Sequence, residues 1–593
     1  MNRRECDILK LLMAKPFVNQ RVLAEESRFS LGIVNRSLRN LCQAGYLDED
    51  MQPTHAAIQK LNESAPKNAI ILAAGFGMRM VPINMETSKG LLEVRGEVLI
   101  ERLIRQLHEA GVKEIYIVVG FMKEKYEYLI DRFQVKLIVN SEYTVKNNLH
   151  SIKRAMEHLS NTYIIPCDIW CAVNPFSRYE LYSWYMVGMR TSTDSNVRMN
   201  RKMELVKEER TREANLMIGI AYLLKKEAVV IKDKISRLCK DARYDNAFWE
   251  EALFQNGHMI LQAKAVCSSE FIEINTYEQL RELDSNSNQL KSDAIMAIME
   301  ALKVKESEIT NITVLKKGMT NRSFLFECKG HRYIMRIPGE GTNHLINRMQ
   351  EAAVYNEIKE KGICDNYIYI NPKNGYKITE FISRSRVCNP QSKDDIDKCM
   401  KKLRTFHEMK LKVKHDFDLF KQIEFYESLW TEEKSVYSDY TETKESVLSL
   451  KKYIDAHVKE RVLTHIDAVP DNFLFYTDEQ GREKLLLIDW EYAGMQDPHV
   501  DVAMFCIYSF YDRQQADELI NTYFKEGCSD ETKIKIYCYI AVCGLLWSNW
   551  CEYKRGLGVD FGEYSLRQYR YAKEYYRIVC SMLGEKREQW DIR

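Results

Sequence analysis

The sequence predicts a multidomain α/β protein: a small helical unit, then a Rossmann-like α/β/α sheet of mostly parallel strands covered by helices, then an α+β unit whose strands precede its helices. Three observations carry this expectation. A chain of 593 residues exceeds what one hydrophobic core can organise. From Ala69 to Asp168, short apolar runs alternate with amphipathic stretches, the rhythm of a parallel sheet. The polar stretch "DSNSNQLKSD" carries no apolar period and reads as a linker before a third unit. The expected boundaries are residues 1–64, 65–283, a linker at 284–294, and 295–593.

Hydrophobic residues make up 45% of the chain and charged residues 29%, as in ordinary globular enzymes. A formal net charge of +1 supplies neither a basic field for nucleic acid nor an acidic tail. The 16 cysteines are scattered through apolar segments such as "YCYIAVCGLLW", which points to buried thiols in a reducing, cytoplasmic compartment. The start lacks the apolar core of a signal peptide, and no run approaches the roughly 20 apolar residues expected of a membrane span.

In residues 1–64, "RECDILKLLMAKP", "NQRVLAEESRFS" and "SLGIVNRSLRNLCQAGYL" space their apolar residues by three and four, as helices do. Together with "GYLDEDMQPTHAAIQKL" they resemble a winged helix-turn-helix, with Leu31 to Ala44 as the recognition helix and Arg36 and Arg39 facing phosphates. The acidic "DED" stands where a wing would approach DNA, so a docking or sensing role competes with DNA binding.

In the second unit, "IILAAGFGMRM" sets an apolar strand against a turn built from Gly75 and Gly77. Glycine lets backbone amides approach a phosphate chain closely. Arg79 and Lys89 follow, and two cations at one strand end would neutralise charge on a leaving pyrophosphate. Asp168 in "YIIPCDIW" closes a buried strand that, in a parallel sheet, ends on the same side, where it would hold magnesium.

"LAAGFGMRMVP" and "SKGLLEVRGEVLIERLI" resemble sugar-nucleotide-type nucleotidyltransferases, above all bacterial CTP:phosphocholine cytidylyltransferases. The likeness extends through "NNLHSIKRA", "CDIW", "MIGIAYLL", "AFWEEAL" and "FIEINTYEQLREL". It implies that Leu72, Ala73, Ala74, Gly75 and Gly77 hold CTP, with Asn148 and Ser151 nearby, that Lys89 is catalytic, and that Asp168 binds the metal. The family's second metal ligand is usually an aspartate where this chain has Asn275, whose amide oxygen the resemblance places on the metal, as asparagine is in some related uridylyltransferases, and its usual proline before the lysine is replaced by Ser88. A trimethylammonium headgroup needs aromatic faces, and Trp170, Tyr182, Trp184, Tyr185, Phe248 and Trp249 are candidates, with Trp249 and Glu250 favoured.

In the third unit, "LTHIDAVPDNFLF" followed by "KLLLIDWEYAGMQDPHVDVAMF" has the layout of kinase chemistry. Asp467 would accept the hydroxyl proton, while Asn472 and Asp489 would hold magnesium. The unit resembles choline kinases and, more distantly, aminoglycoside phosphotransferases, which implies a protein-kinase-like fold. The resemblance places Gly318, Thr320, Asn321 and Ser323 over the ATP phosphates and pairs Arg336 with Glu351. His465 would orient the catalytic loop and Asp501 would brace it. Trp547 and Trp550, three apart on one helix face, would form a choline cage with Tyr492 and Glu491.

Together the two resemblances imply consecutive steps, phosphorylation of choline by ATP and then CMP transfer from CTP, giving CDP-choline. The small-molecule partners would be choline, phosphocholine, ATP and CTP, with DNA an added partner of the first unit, no membrane, and a homo-oligomer left open. Ethanolamine or another amino alcohol, a sugar-phosphate transferase fused to a small-molecule kinase, and a metabolite-sensing regulator are the alternatives.

Overall fold

A computed structural model describes residues 1–590 except 193–194, 208–213, 268, 316–320, 340–344, 366, 431–433, 558 and 560. The chain divides into two compact units: Met1–Met296 with Ile312–Val314, and Ala297–Asn311 with Leu315–Arg593.

The first unit opens with helices Arg3–Ala14, Gln20–Ser27, Leu31–Gln43 and His55–Ser64. Side-chain caps at Asn2, Asn19 and Thr54 satisfy first-turn amides, so polar residues set where three of the four begin. Arg36 and Arg39 are exposed on the third helix, and a bridge between Leu47 and Pro53 makes the wing short, with Asp48, Glu49 and Asp50 at its tip. This small helical unit shares its core with the next domain: Ile8, Leu9, Leu12, Val34 and Leu38 join Leu181, with Tyr179 and Tyr182 packed against them. Lys10 Nζ reaches Glu180 at 2.7 Å, and Tyr182 donates to Asp7 at 2.9 Å. The first two expected domains therefore pack as one body.

A ten-stranded sheet organises the rest of this unit. Strands Lys136–Val139, Glu114–Val119, Asn68–Ala73 and Thr162–Pro166 lie side by side and parallel, as the β/α rhythm predicts. Asn68–Ala73 is buried throughout because helices cover both faces, which is why it is an unbroken apolar run. On one face Ile100, Leu103 and Leu107 meet Ile71 and Ile117; on the other Leu149, Ile152 and Ile231 meet Ile70 and Val118. Ala214–Leu223 then adds antiparallel to Thr162–Pro166 and starts the second half of the sheet.

The stretch expected to be a free linker, 284–294, is packed instead. Arg95 N donates to Asp284 at 2.6 Å, Ser287 Oγ to Glu93 O at 3.1 Å, and Tyr277 OH to Leu290 O at 3.0 Å. Its short polar side chains complete the backbone of the hairpin at Glu93–Val94 and Glu97–Val98, while Leu290 is buried.

The second unit has antiparallel strands Asn321–Cys328, His331–Pro338, Lys377–Glu380 and Tyr367–Ile370 with helix Arg348–Ile358, followed by a helical region. The hairpin Phe473–Thr477/Glu483–Leu487 follows directly on Asn472 and ends just before Asp489. The helix Asp530–Gly556 corrects the expectation about membrane-length runs: it is long and apolar enough by length and composition, and its apolar window is wholly buried. It is apolar all round because helices Leu419–Ser428, His499–Tyr508 and Glu563–Trp590 surround it.

Candidate active sites

In the first unit, Gly77 has φ +64°, and a Cβ there would lie 2.9 Å from Lys89 Cγ. The glycine both turns the chain left-handed and lets the lysine stem cross over it. Lys89 Nζ then reaches Asp168 Oδ2 at 2.7 Å and Asn275 Oδ1 at 2.8 Å, while Arg79 Nη2 donates to the same Asn275 oxygen at 3.0 Å. Residues 196 apart in sequence thus meet at one strand end. Burial, with Asp168 adding to it, raises the Glu273 carboxyl, and a hydrogen bond from Asn275 opposes the shift.

The other residues expected at the nucleotide divide. Gly75 is exposed at the turn. Leu72, Ala73 and Ala74 are buried, and the carbonyls of Leu72 and Ala74 accept from Cys167 N and Phe121 N. They form the floor of the turn. Asn148 Oδ1 accepts from Trp249 N at 2.7 Å, so it holds the Trp249 segment in place. Ser151 is buried and bonded to Asn140 Nδ2 at 3.1 Å, which corrects its expected place beside the nucleotide.

Trp249 is corrected as well: at 1% exposure it is a core residue packed near Tyr185. Trp184 and Tyr185 are equally enclosed, Trp170 is covered by Arg102 at 4.2 Å, and Tyr182 is used by the first helix. Phe248, at 62% exposure, is the aromatic of that set left open. Next to it, Glu250 Oε1 accepts from Tyr185 OH at 2.9 Å, and Oε2 is buried without a hydrogen-bond partner. Burial pushes the Glu250 carboxyl up to about 7, and the charge of Glu273 adds to the rise.

In the second unit, Asn472 Nδ2 donates to Asp467 O at 2.9 Å and to its Oδ2 at 3.1 Å, and Asn472 O accepts from Ile488 N, drawing Asp489 alongside. Ile466 and Asp489 hold φ of 71° and 66°, left-handed values that a β-branched residue and an aspartate adopt at a cost. The loop is held against that strain. Asp501 accepts from His465 N at 3.0 Å, Ile466 N at 2.7 Å and His407 Nε2 at 2.9 Å, and His465 Nε2 donates to Ile488 O at 3.0 Å. Burial keeps the His465 imidazole below its ordinary pKa and so neutral. Burial, followed by the carboxylates of Asp489 and Glu491, pushes Asp467 up to about 8.

Arg336 and Glu351 form a bidentate buried pair, with Nη2 to Oε2 at 2.9 Å. Burial opposes charge on both, yet each holds the other ionised: Glu351 below its usual range and Arg336 above its own. Glu491 lies 3.4 Å from Arg348 and 3.8 Å from Arg336, so its charge is already matched. That corrects its expected role as the cage carboxylate. Gly318 and Thr320 lie outside the described residues, as does the side chain of Asn321; the Asn321 backbone pairs with Pro338 and Ser323 with Arg336.

An aromatic wall runs from Tyr492 to Trp547 (centroids 5.5 Å), Trp550 (5.6 Å), Phe561 (5.0 Å) and Tyr564 (6.4 Å). Tyr508 continues it and donates to Asp471 at 2.7 Å, one residue before Asn472. Phe561, Tyr564 and Tyr508 are absent from the residues expected from sequence. They belong to other segments, and no spacing rule connects them to Trp547.

The sequence matches three family profiles: "Winged helix-turn-helix DNA-binding" over residues 1–48, "MobA-like NTP transferase domain" over 69–179, and "Choline/ethanolamine kinase" over 312–541. A choline-phosphate cytidylyltransferase of Streptococcus pneumoniae is 29% identical over 234 residues, which are 39% of this chain and 92% of that protein. Protein LicA of Haemophilus influenzae is 26% identical over 265 residues, 42% of this chain and 96% of that one. The crystal structure of choline kinase LicA from Streptococcus pneumoniae is 31% identical, with 48% of this chain and 99% of that chain covered and a TM-score of 0.42. Both enzyme families generally use a divalent metal ion.

Proposed function

We propose that this chain, which joins a nucleotidyltransferase domain to a domain of the choline/ethanolamine kinase family, makes CDP-choline in two steps. It is an enzyme with two activities, a kinase and a cytidylyltransferase. The observation that carries the reading is the pairing of Asp467, Asn472 and Asp489 beside an aromatic wall with Lys89, Arg79 and Asp168 beside a glycine turn, all in one chain. In the kinase step Asp467 accepts the choline hydroxyl proton, and Arg336, held by Glu351, meets the ATP phosphates. The quaternary ammonium cannot donate a hydrogen bond, so its recognition would rest on the ring faces of Tyr492, Trp547 and Trp550, which pack on one another and are 6%, 6% and 3% exposed. In the transfer step the phosphate of phosphocholine attacks the CTP α-phosphorus, and Lys89 and Arg79 stabilise the departing pyrophosphate.

The residues present fit magnesium at both sites. Asp168 and Asn275 oxygens converge on one cation, the Lys89 ammonium. The carboxylates of Asp489 and Glu491 crowd Asp467 until its proton is retained, as expected where a cation completes the cluster. When bound, the ion screens the phosphate charge. The reading places the enzyme in the cytoplasm, and all sixteen cysteines are free thiols, in keeping with a reducing compartment. The exposed Arg36 and Arg39 support DNA contact by the first domain, which a gel shift on its own upstream DNA tests.

Purified protein given choline, ATP, CTP and magnesium should yield CDP-choline by mass; hexose phosphates releasing pyrophosphate in place of phosphocholine would overturn the reading. Trp550→Ala should raise KM for choline about 30-fold, the value of a desolvated cation–π contact of about 2 kcal/mol. Its KM for added phosphocholine should stay unchanged, which controls for folding.

Glu250 gives a pH dependence. Its carboxyl is raised to about 7, so the ionised form that attracts the headgroup cation fills in above that pH. KM for phosphocholine should therefore fall as pH rises from about 6 to 8. Glu250→Gln should flatten the fall, and comparing the two proteins cancels the substrate phosphate's own ionisation.

A further inference from the structure

We propose that Asn147 and Asn148 are positioning residues for the headgroup of the phosphate monoester, because the start of their helix holds the segment 245–250 that presents Phe248 and Glu250. The inference rests on the cytidylyltransferase reading of the first unit. Asn147 caps the helix Asn148–Arg154: its Oδ1 accepts from Asn148 N at 2.7 Å, which leaves its NH2 to donate to Asn246 O at 3.1 Å. Asn147 N donates to Asp245 O at 2.8 Å, and Leu149 N to Ala247 O at 3.4 Å. Asn148 Oδ1 accepts from Trp249 N at 2.7 Å. The side chain of Asp245 adds to the contact: its Oδ1 lies 3.2 Å from Nε2 of His150, which is 1% exposed, and 3.7 Å from Lys146 Nζ.

Ala247 and Trp249 are thus both tied to the helix, and Phe248 is the residue between them. With both neighbours' backbones fixed and Trp249 in the core, the Phe248 ring projects outward. Glu250 follows directly and is held from the other side by Tyr185 OH at 2.9 Å. A quaternary ammonium gains from an aromatic face and a carboxylate held at fixed positions. A ring on a loose segment would give up that gain to its own ordering, so the headgroup's affinity is set where the segment is anchored. Trp249 N needs an acceptor, and without the Asn148 oxygen the segment would have to shift to find one.

The test measures KM for phosphocholine and for CTP on the full chain. Asn148→Ala should raise KM for phosphocholine about tenfold, in keeping with one lost hydrogen bond at a buried residue, and leave KM for CTP within about twofold. Asn148→Asp keeps an acceptor for Trp249 N and should bring KM for phosphocholine back to within about threefold of wild type. In a Phe248→Ala chain, Asn148→Ala should add less than about threefold, because the ring it presents is gone. The proposal is overturned if Asn148→Ala raises KM as much in that background as in the parent, or raises KM for CTP as much as for phosphocholine. An Asn148→Asp chain no better than Asn148→Ala overturns it too. Asn147→Ser keeps a helix cap but is too short to reach Asn246 O, and it should raise KM for phosphocholine about threefold. It decides where Asn148→Ala fails to fold, an unchanged KM counting against the proposal. If the wild-type chain transfers no CMP to phosphocholine, the transferase reading itself falls.

Discussion

Asp467→Asn should leave the enzyme unable to consume choline while added phosphocholine and CTP still give CDP-choline. The loss should be about 10²–10⁴-fold in choline turnover, the range for removing a positioned general base. The amide keeps the side chain's volume and its place beside Asn472, but it cannot take the hydroxyl proton. The same substitution should stabilise the fold, because the Asp467 carboxyl is raised to about 8 by burial and by Asp489 and Glu491. A carboxyl whose folded pKa exceeds its unfolded one retains a proton that the unfolded chain gives up. Wild-type stability at this group therefore declines as pH rises from about 4 to about 8. The neutral amide removes that decline, so the thermal midpoint of the variant should exceed the wild type's by a margin that widens up to about pH 8. Activity lost together with stability would mean that Asp467 serves the loop's structure and not proton transfer.

The kinase centre is legible in sequence because its chemistry is local. Asp467 and Asn472 belong to one loop, and Asp489 closes the next strand, so one hairpin delivers all three. Trp547 and Trp550 are legible for the same reason, being neighbours on one helix face. Tyr508 and Tyr564 reach the wall only through packing of separate helices, and Phe561 from the connection that precedes the last helix. Electrostatic partners are harder still: Glu491 follows Asp489 by two residues and looks available to a cation, yet Arg348, far back in the chain, has matched its charge. In the transferase, apolar alternation reveals the parallel strands but not which aromatics face outward. Trp249 and Phe248 are adjacent and take opposite fates, since successive side chains point to different sides. The stretch 284–294 reads as a linker because its side chains are polar and short, and those same side chains bond the backbone of a hairpin about 190 residues earlier in the chain.

Lys89→Ala should stop the pathway at phosphocholine, with cytidylyl transfer reduced about 10²–10³-fold and choline phosphorylation unchanged. The lysine's position explains why one side chain carries so much. Its stem crosses Gly77 where no other residue would leave room, and its ammonium reaches both Asp168 and Asn275. It therefore rests at the strand end, close to where the triphosphate would arrive. Moving from Asp168 and Asn275 onto phosphate oxygens exchanges one set of charge-assisted hydrogen bonds for another, so little reorganisation is needed as charge grows on pyrophosphate. Arg79 shares the Asn275 oxygen but is exposed at the turn, so it would meet phosphate from a more solvated position and would not replace the lysine. Lys89→Met separates charge from packing, because it keeps an unbranched stem over Gly77 and removes the ammonium. It should lose as much kcat as Lys89→Ala. A Lys89→Met enzyme with near wild-type transfer would show that the stem, by shaping the glycine turn, is what the reaction needs.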